Sequence, residues 1–187
     1  MASFDQIWAP WRLAYIKKGE GQHNEQEKAG PAPLSFLPGA DPECFLCQAA
    51  ADPCDRRRHV VHRSEQSLTL LNRFPYNNGH LLVAPRRHVA ELEDLTEDEL
   101  LELTVELTRM TGLVRRVLNP EGFNIGLNLG RVAGAGLPGH LHWHVVPRWS
   151  GDTNFMTVLA STNVIPQSLD ALWEALTEAL GKSQKPG

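Results

Sequence analysis

The feature that most constrains this chain is the run His140-Leu141-His142-Trp143-His144-Val145-Val146, in which imidazole and apolar side chains alternate. A period of two marks a strand with one polar and one apolar face. On such a strand His140, His142 and His144 point one way, about 6 to 7 Å apart, while Leu141, Trp143 and Val145 point the other. The apolar face must be buried, so the chain has to build a sheet that is covered on that side and presents three imidazoles on a rigid platform. With eight histidines in the whole chain, three on alternate positions of one core strand are poorly explained as an ordinary solvated face. A metal site or chemistry remains. An imidazole can attack phosphorus, carry the resulting phosphoramidate and release it to water or another acceptor, provided neighbours fix its tautomer and protonate the leaving group.

The other periodicities place that strand in an α+β fold. Ser67–Leu71 and residues 80–84 read as strands around the turn Pro75-Tyr76-Asn77-Asn78-Gly79, which makes them antiparallel neighbours. Thr96 and Glu99 form a capping box, and Leu100, Leu103, Leu107, Met110, Val114 and Val117 recur at helical spacing until Asn119-Pro120 ends the run. Residues 123–129 and 141–146 read as two more strands, joined by a glycine-rich segment over residues 130–139. Residues 168–180 give a short C-terminal helix, with Leu169, Leu172, Leu176 and Leu180 along one side and Gly181 as its stop. Strands outnumber and separate the helices, so the class is α+β with an antiparallel sheet.

At 187 residues and 42% apolar content the chain supports one domain with a hydrophobic core, over residues 43–187. Residues 1–42 form an arm and a linker. Trp8, Trp11 and Tyr15 around Pro10 make the arm aromatic enough to pack on the body or on a second subunit. Gly19, Gly21, Gly30, Pro31, Pro33, Pro38, Gly39 and Pro42 punctuate the linker, which shows no periodicity. A formal net charge of -4, with no basic run beyond Arg56-Arg57-Arg58, argues against a nucleic-acid partner, so any phosphate partner is small. No apolar stretch approaches the roughly 20 residues of a membrane span, and the start lacks a signal-peptide pattern, so no membrane partner and a cytoplasmic location are expected.

Two patterns need context. Three cysteines, two of them in Cys44-Phe45-Leu46-Cys47, fit a reducing compartment and a metal or redox site, but a single Cys-x-x-Cys is half of a tetrahedral zinc site. Gly134-Ala135-Gly136-Leu137-Pro138-Gly139 satisfies the dinucleotide fingerprint Gly-x-Gly-x-x-Gly. That fingerprint requires a following helix to receive a pyrophosphate, whereas Pro138 and the histidine strand follow here. A loop beside the histidines, whose glycines let backbone N–H groups approach phosphate, is the better reading.

The histidine run resembles the signature of the histidine triad (HIT) family, and the similarity extends from Trp8-Ala9-Pro10-Trp11-Arg12 to Phe155. The resemblance implies a HIT-like fold, with about five antiparallel strands, one long helix and a short C-terminal helix, and an enzyme acting at a nucleotide α-phosphate. It makes His142 the nucleophile, forming a nucleotidyl-histidine intermediate, His144 the phosphate contact that helps the leaving group, and His80 the further histidine beside the triad. Asn72 matches the residue that holds the ribose hydroxyls, with an ordinary strand-end turn residue as the alternative. Asn128 matches the phosphate-side asparagine when a one-residue gap is allowed, and Gly136 lies in the loop expected to face phosphate. Many relatives carry Ser or Thr three residues before the first triad histidine; Leu137 stands there instead, which counts against simple phosphoramidase activity.

Some members of this family, and the related galactose-1-phosphate uridylyltransferases, hold zinc on a cysteine pair and two histidines. Cys44, Cys47, His88 and His140 match those positions, which implies a structural zinc and gives His140 an architectural role; His59 and His62 are alternative donors to His88, and Cys54 stands outside the pattern. The continuation Pro147-Arg148-Trp149-Ser150-Gly151-Asp152-Thr153-Asn154-Phe155 looks most like the bacterial branch that phosphorolyses diadenosine tetraphosphate to ADP and ATP. Arg148 is then a polyphosphate contact or, alternatively, a surface salt-bridge residue. Hydrolysis of dinucleoside polyphosphates or nucleoside phosphoramidates is the alternative within the enzyme class, and nucleotide binding without turnover the alternative outside it. A homodimer is also implied by the resemblance.

Overall fold

The histidine run does enter a sheet, two residues later than its alternation suggests. A computed structural model describes residues 5–8, 33–153 and 162–183. In chain order its elements are β1 (Asp5–Trp8), α1 (Phe45–Ala51), α2 (Asp55–Arg58), β2 (Val60–Arg63), β3 (Ser67–Leu71), β4 (Leu81–Pro85), α3 (Glu97–Leu118), β5 (Gly122–Leu127), β6 (Trp143–Arg148), β7 (Thr162–Ile165) and α4 (Leu169–Ser183). Strands β2-β3-β4-β6-β5 form one antiparallel sheet in that order. The expected α+β architecture is present. Among the described residues no helix is long and apolar enough to cross a membrane.

Both faces of the sheet are covered, by different partners. On one face Leu71, Leu81, Val83, Leu141 and Val145 pack with Leu103, Met110, Leu113 and Val114 of α3 and with Leu172 and Leu176 of α4. On the other, Leu68, Leu70, Leu82 and Ala84 meet Cys44, Leu46, Cys47 and Ala49. Each buried leucine, valine or methionine among them contributes about 1.5–3 kcal/mol. Helix α1 therefore delivers its cysteines to the face of the sheet that also carries the histidines.

Several boundaries differ from expectation for identifiable reasons. Leu141 donates its amide to Val89 O at 2.7 Å instead of joining the β4–β6 ladder, so the strand expected at residues 141–146 begins at Trp143. The strand expected at residues 123–129 ends at Leu127, leaving Asn128 just beyond it. The C-terminal helix runs through Gly181 to Ser183; a glycine costs a helix only about 1 kcal/mol against alanine and does not by itself end it. The capping box of α3 is present, with Glu99 N donating to Thr96 Oγ1 at 3.2 Å and Thr96 N to Glu99 Oε2 at 2.9 Å. Leu100, however, is exposed, and Glu99 is the buried residue of that turn, held by Arg87 at 2.8 and 3.0 Å.

The aromatic arm is described only at Asp5–Trp8, whose backbone pairs in parallel with Thr162–Ile165. Trp11, Tyr15 and the linker positions Gly19, Gly21, Gly30 and Pro31 lie outside the described residues, as do Asn154 and Phe155.

Candidate active site and metal centre

The cysteine pair sits at the start of α1, with Cys44 in the N-cap position and Cys47 in the first turn. His88 follows the end of β4, and His140 lies on the segment that leads into β6. The ligand atoms of Cys44, Cys47, His88 and His140 all lie within 4.8 Å of one another. Cys44 Sγ is 3.3 Å from His140 Nδ1, Cys47 Sγ is 3.3 Å from His88 Nδ1, and Cys47 Sγ is 3.6 Å from His140 Nδ1. The edge between a sulfur and a nitrogen ligand of a tetrahedral zinc is about 3.5 Å, given its bond lengths. The donor set thus fits a closed, four-coordinate metal site.

Two further details suit that fit. His140 Nε2 donates to Pro85 O at 2.9 Å, which fixes the proton on Nε2 and leaves the Nδ1 lone pair facing the cysteines. Burial pushes the Cys44 thiol up to about 11, against the pull of the Cys47 and Leu46 amides; a dication would reverse this by stabilising the thiolate. The alternative donors are engaged elsewhere, His59 Nε2 with Asp170 at 3.2 Å and His62 Nδ1 with Glu106 at 2.9 Å. Cys54 caps α2 and lies outside the group.

Next to this centre, backbone groups fix the tautomers of His142 and His80, and His80 in turn fixes that of His144. His140 O can only accept, so His142 Nδ1 donates to it at 2.8 Å and His142 Nε2 keeps its lone pair. The Tyr76 amide can only donate, so His80 Nδ1 accepts from it at 3.0 Å. The His80 proton then resides on Nε2, which donates to His144 Nδ1 at 2.9 Å and leaves a proton on His144 Nε2. The result is a bare nucleophilic nitrogen on one imidazole beside a donating nitrogen on the next, with the His142 and His144 rings 5.2 Å apart.

Burial lowers His80 to about 3, helped by His144 and His142, and lowers His144 to about 4, helped by His142. Both are therefore neutral near pH 7, as this chain of donors requires. Asn72 joins it: its Oδ1 accepts from the Phe74 amide at 3.0 Å, and its Nδ2 lies 3.2 Å from His80 Nδ1. Tyr76 covers the pair, its ring 4.6 Å from that of His80 and 5.4 Å from that of His144. By sequence Tyr76 is only a turn residue, because its part depends on a backbone amide that no side-chain pattern displays.

The remaining expected residues divide. Gly126 pairs with His144 and Leu127 with Trp143, and Asn128 follows directly after the end of that ladder, half-buried. Gly136 is exposed in the loop before the histidines, where a short 3-10 turn, Arg131–Ala133, is the only helical element and no helix follows the glycines before β6. Leu137 packs against the cysteine-side core. Arg148 is not brought to the histidines. It lies at the far end of β6, about 13 Å along the strand from His144, with Asp152 at 2.6 and 3.1 Å and Asn124 at 2.7 Å occupying its guanidinium.

Comparison with known proteins places this geometry. The HIT domain matches residues 55–151. The chain is 41% identical over 165 residues to the AP-4-A phosphorylase of Mycobacterium tuberculosis (strain ATCC 25618 / H37Rv), covering 88% of this chain and 78% of that protein. It is 36% identical over 93 residues, half of each chain, to the asymmetrical bis(5'-nucleosyl)-tetraphosphatase of Schizosaccharomyces pombe. Among solved structures, a Zn-bound histidine triad family protein from Mycobacterium smegmatis superposes with a TM-score of 0.56 at 27% identity, covering 67% of this chain and 86% of that one.

Proposed function

The chain belongs to the HIT family, and from that premise we propose that it transfers the adenylyl group of diadenosine tetraphosphate to inorganic phosphate through a nucleotidyl-histidine intermediate. The observation that carries the proposal is the 41% identity to an AP-4-A phosphorylase over 88% of this chain. The tautomers described above supply its chemistry.

His142 Nε2 attacks the α-phosphorus, forming an N–P bond as the P–O bond to the leaving ATP breaks. His144 Nε2–H hydrogen-bonds the departing oxygen, and His80 holds that proton in place from behind. Asn128 and the loop amides around Gly136 stabilise charge on the phosphoryl oxygens. Inorganic phosphate then attacks the adenylyl-histidine, releasing ADP and restoring His142. We assign the ribose hydroxyls to Asn72, which also faces His80. We assign the metal to zinc on Cys44, Cys47, His88 and His140, where it ties α1 to the segment carrying the nucleophile. A cytoplasmic homodimer completes the proposal, supported by β5 being an edge of the sheet among the described residues and exposing Ile125.

The test is incubation with diadenosine tetraphosphate with and without phosphate, followed by product analysis. Phosphate-dependent ADP supports the proposal. Phosphate-independent AMP points to hydrolysis, and no turnover points to a binding protein.

A further inference from the structure

We infer that Asp152, clamped by Arg148, is a positioning residue that sets the tautomer of His80 through Asn77 and the turn bearing the Tyr76 amide. The inference deepens the function proposed above and rests on it, but its structural part can be measured without turnover.

The Asp152 carboxylate is 7% exposed and gathers donors from three places. Its Oδ2 accepts from Arg148 Nε at 2.6 Å, from Asn77 Nδ2 at 2.8 Å and from the Trp149 amide at 3.3 Å, while its Oδ1 accepts from Arg148 Nη2 at 3.1 Å. Asn77 is gripped again by Pro147 O at 3.1 Å, and its own Oδ1 accepts from the Asn78 amide at 2.9 Å. Its backbone carbonyl receives the His80 amide at 3.3 Å. Asn78 gives the turn a second anchor through Gln167 Oε1 at 2.7 Å. The residue just before these anchors is Tyr76, whose amide at 3.0 Å is the nearer of two donors, with Asn72 Nδ2 at 3.2 Å, that keep His80 Nδ1 an acceptor.

The chemical consequence follows from proton placement. If the turn shifts and the Tyr76 amide no longer meets His80 Nδ1, only the longer Asn72 Nδ2 contact at 3.2 Å still holds that nitrogen as an acceptor, and once Asn72 turns aside His80 can carry its proton on Nδ1. Its Nε2 then becomes an acceptor, His144 Nδ1 must donate to it, and His144 Nε2 is left as a bare lone pair. The leaving oxygen loses its proton donor although no side chain in contact with substrate has changed. Arg148, some distance from the histidines, thereby influences the chemistry without touching the phosphates.

The experiment records imidazole nitrogen NMR spectra and steady-state kinetics for the full chain and for Asp152→Asn, Arg148→Met and Asn77→Ala. The parent should show His80 as the single Nε2–H tautomer. The variants should show a tautomer mixture, with kcat lowered roughly ten- to hundredfold, as expected for a partial loss of general-acid assistance, and KM within about twofold. Arg148→Met and Asn77→Ala act at less buried positions and carry the same readout if Asp152→Asn does not fold. A single Nε2–H tautomer in every folded variant overturns the inference, as does an Arg148→Met variant that raises KM at constant kcat. Absence of turnover in the parent protein would refute the proposed function alone, because the tautomer readout is independent of it.

Discussion

Gly79→Ala should be among the most damaging single-methyl changes in the chain. Gly79 has φ +80, and a Cβ there would lie 2.4 Å from Leu118 Cδ1 and 3.2 Å from Pro147 Cγ. The left-handed backbone costs an L-residue about 1–2 kcal/mol. Overpacking adds about 1–3 kcal/mol, because the Leu118 tip can swing but the proline ring cannot. Restricting the unfolded chain returns about 0.4–1 kcal/mol, which leaves a net loss of roughly 1–5 kcal/mol. For a chain of this size each kcal/mol lowers Tm by roughly 2–4 °C, so Tm should fall by roughly 2–20 °C. Urea denaturation should show the midpoint falling at unchanged m. Repeating the substitution in a Leu118→Ala background removes the closest clash, so the added cost should shrink towards the backbone strain alone. A loss below about 0.5 kcal/mol, or the same cost in both backgrounds, would refute this reasoning.

Metal analysis should find about one equivalent of zinc per chain, as a single four-donor site requires; full retention of metal by Cys44→Ala would contradict the assignment. His80, lowered from 6.5 to about 3 in the folded chain, binds fewer protons there than when unfolded across that window. Stability should therefore fall as pH drops from about 6.5 towards 3, by up to about 1.4 kcal/mol per pH unit from this residue. Urea midpoints at pH 6 and 4 check this, and a shallower pH dependence is expected for His80→Gln. Glu106, 2% exposed, accepts from Thr69 Oγ1 at 2.8 Å and His62 Nδ1 at 2.9 Å. Truncating this buried charge in Glu106→Ala should cost about 3–5 kcal/mol, and the isosteric Glu106→Gln about 1–3 kcal/mol. Equal, small effects of the two changes would mean that Glu106 is dispensable.

What the sequence made legible is what local spacing controls. The alternation at residues 140–146 correctly assigned Leu141 and Val145 to the core, and Thr96 with Glu99 marked the start of the long helix. The four metal-ligand candidates were also visible as residue types, and they converge. Helix α1 was not, since its seven residues, Phe45–Ala51, have no side-chain cap and are shorter than two helical periods. Nor was the β1–β7 pairing, which joins segments more than 150 residues apart and is set by backbone register. Arg148 illustrates the limit most clearly: the sequence leaves it between a polyphosphate contact and a salt bridge, and only the fold shows Asp152 and Asn124 at its guanidinium. Local pattern names the groups, whereas long-range hydrogen bonding decides their partners.

The central claim is that His142 Nε2 becomes covalently adenylylated. Acid-free quenching of the full chain during turnover of diadenosine tetraphosphate at low phosphate, followed by peptide mass mapping, tests it directly. The account predicts one adenylyl group on His142, discharged as ADP when phosphate is added and absent in His142→Ala. An adduct on His144 or His80, or steady turnover by His142→Ala, would contradict it.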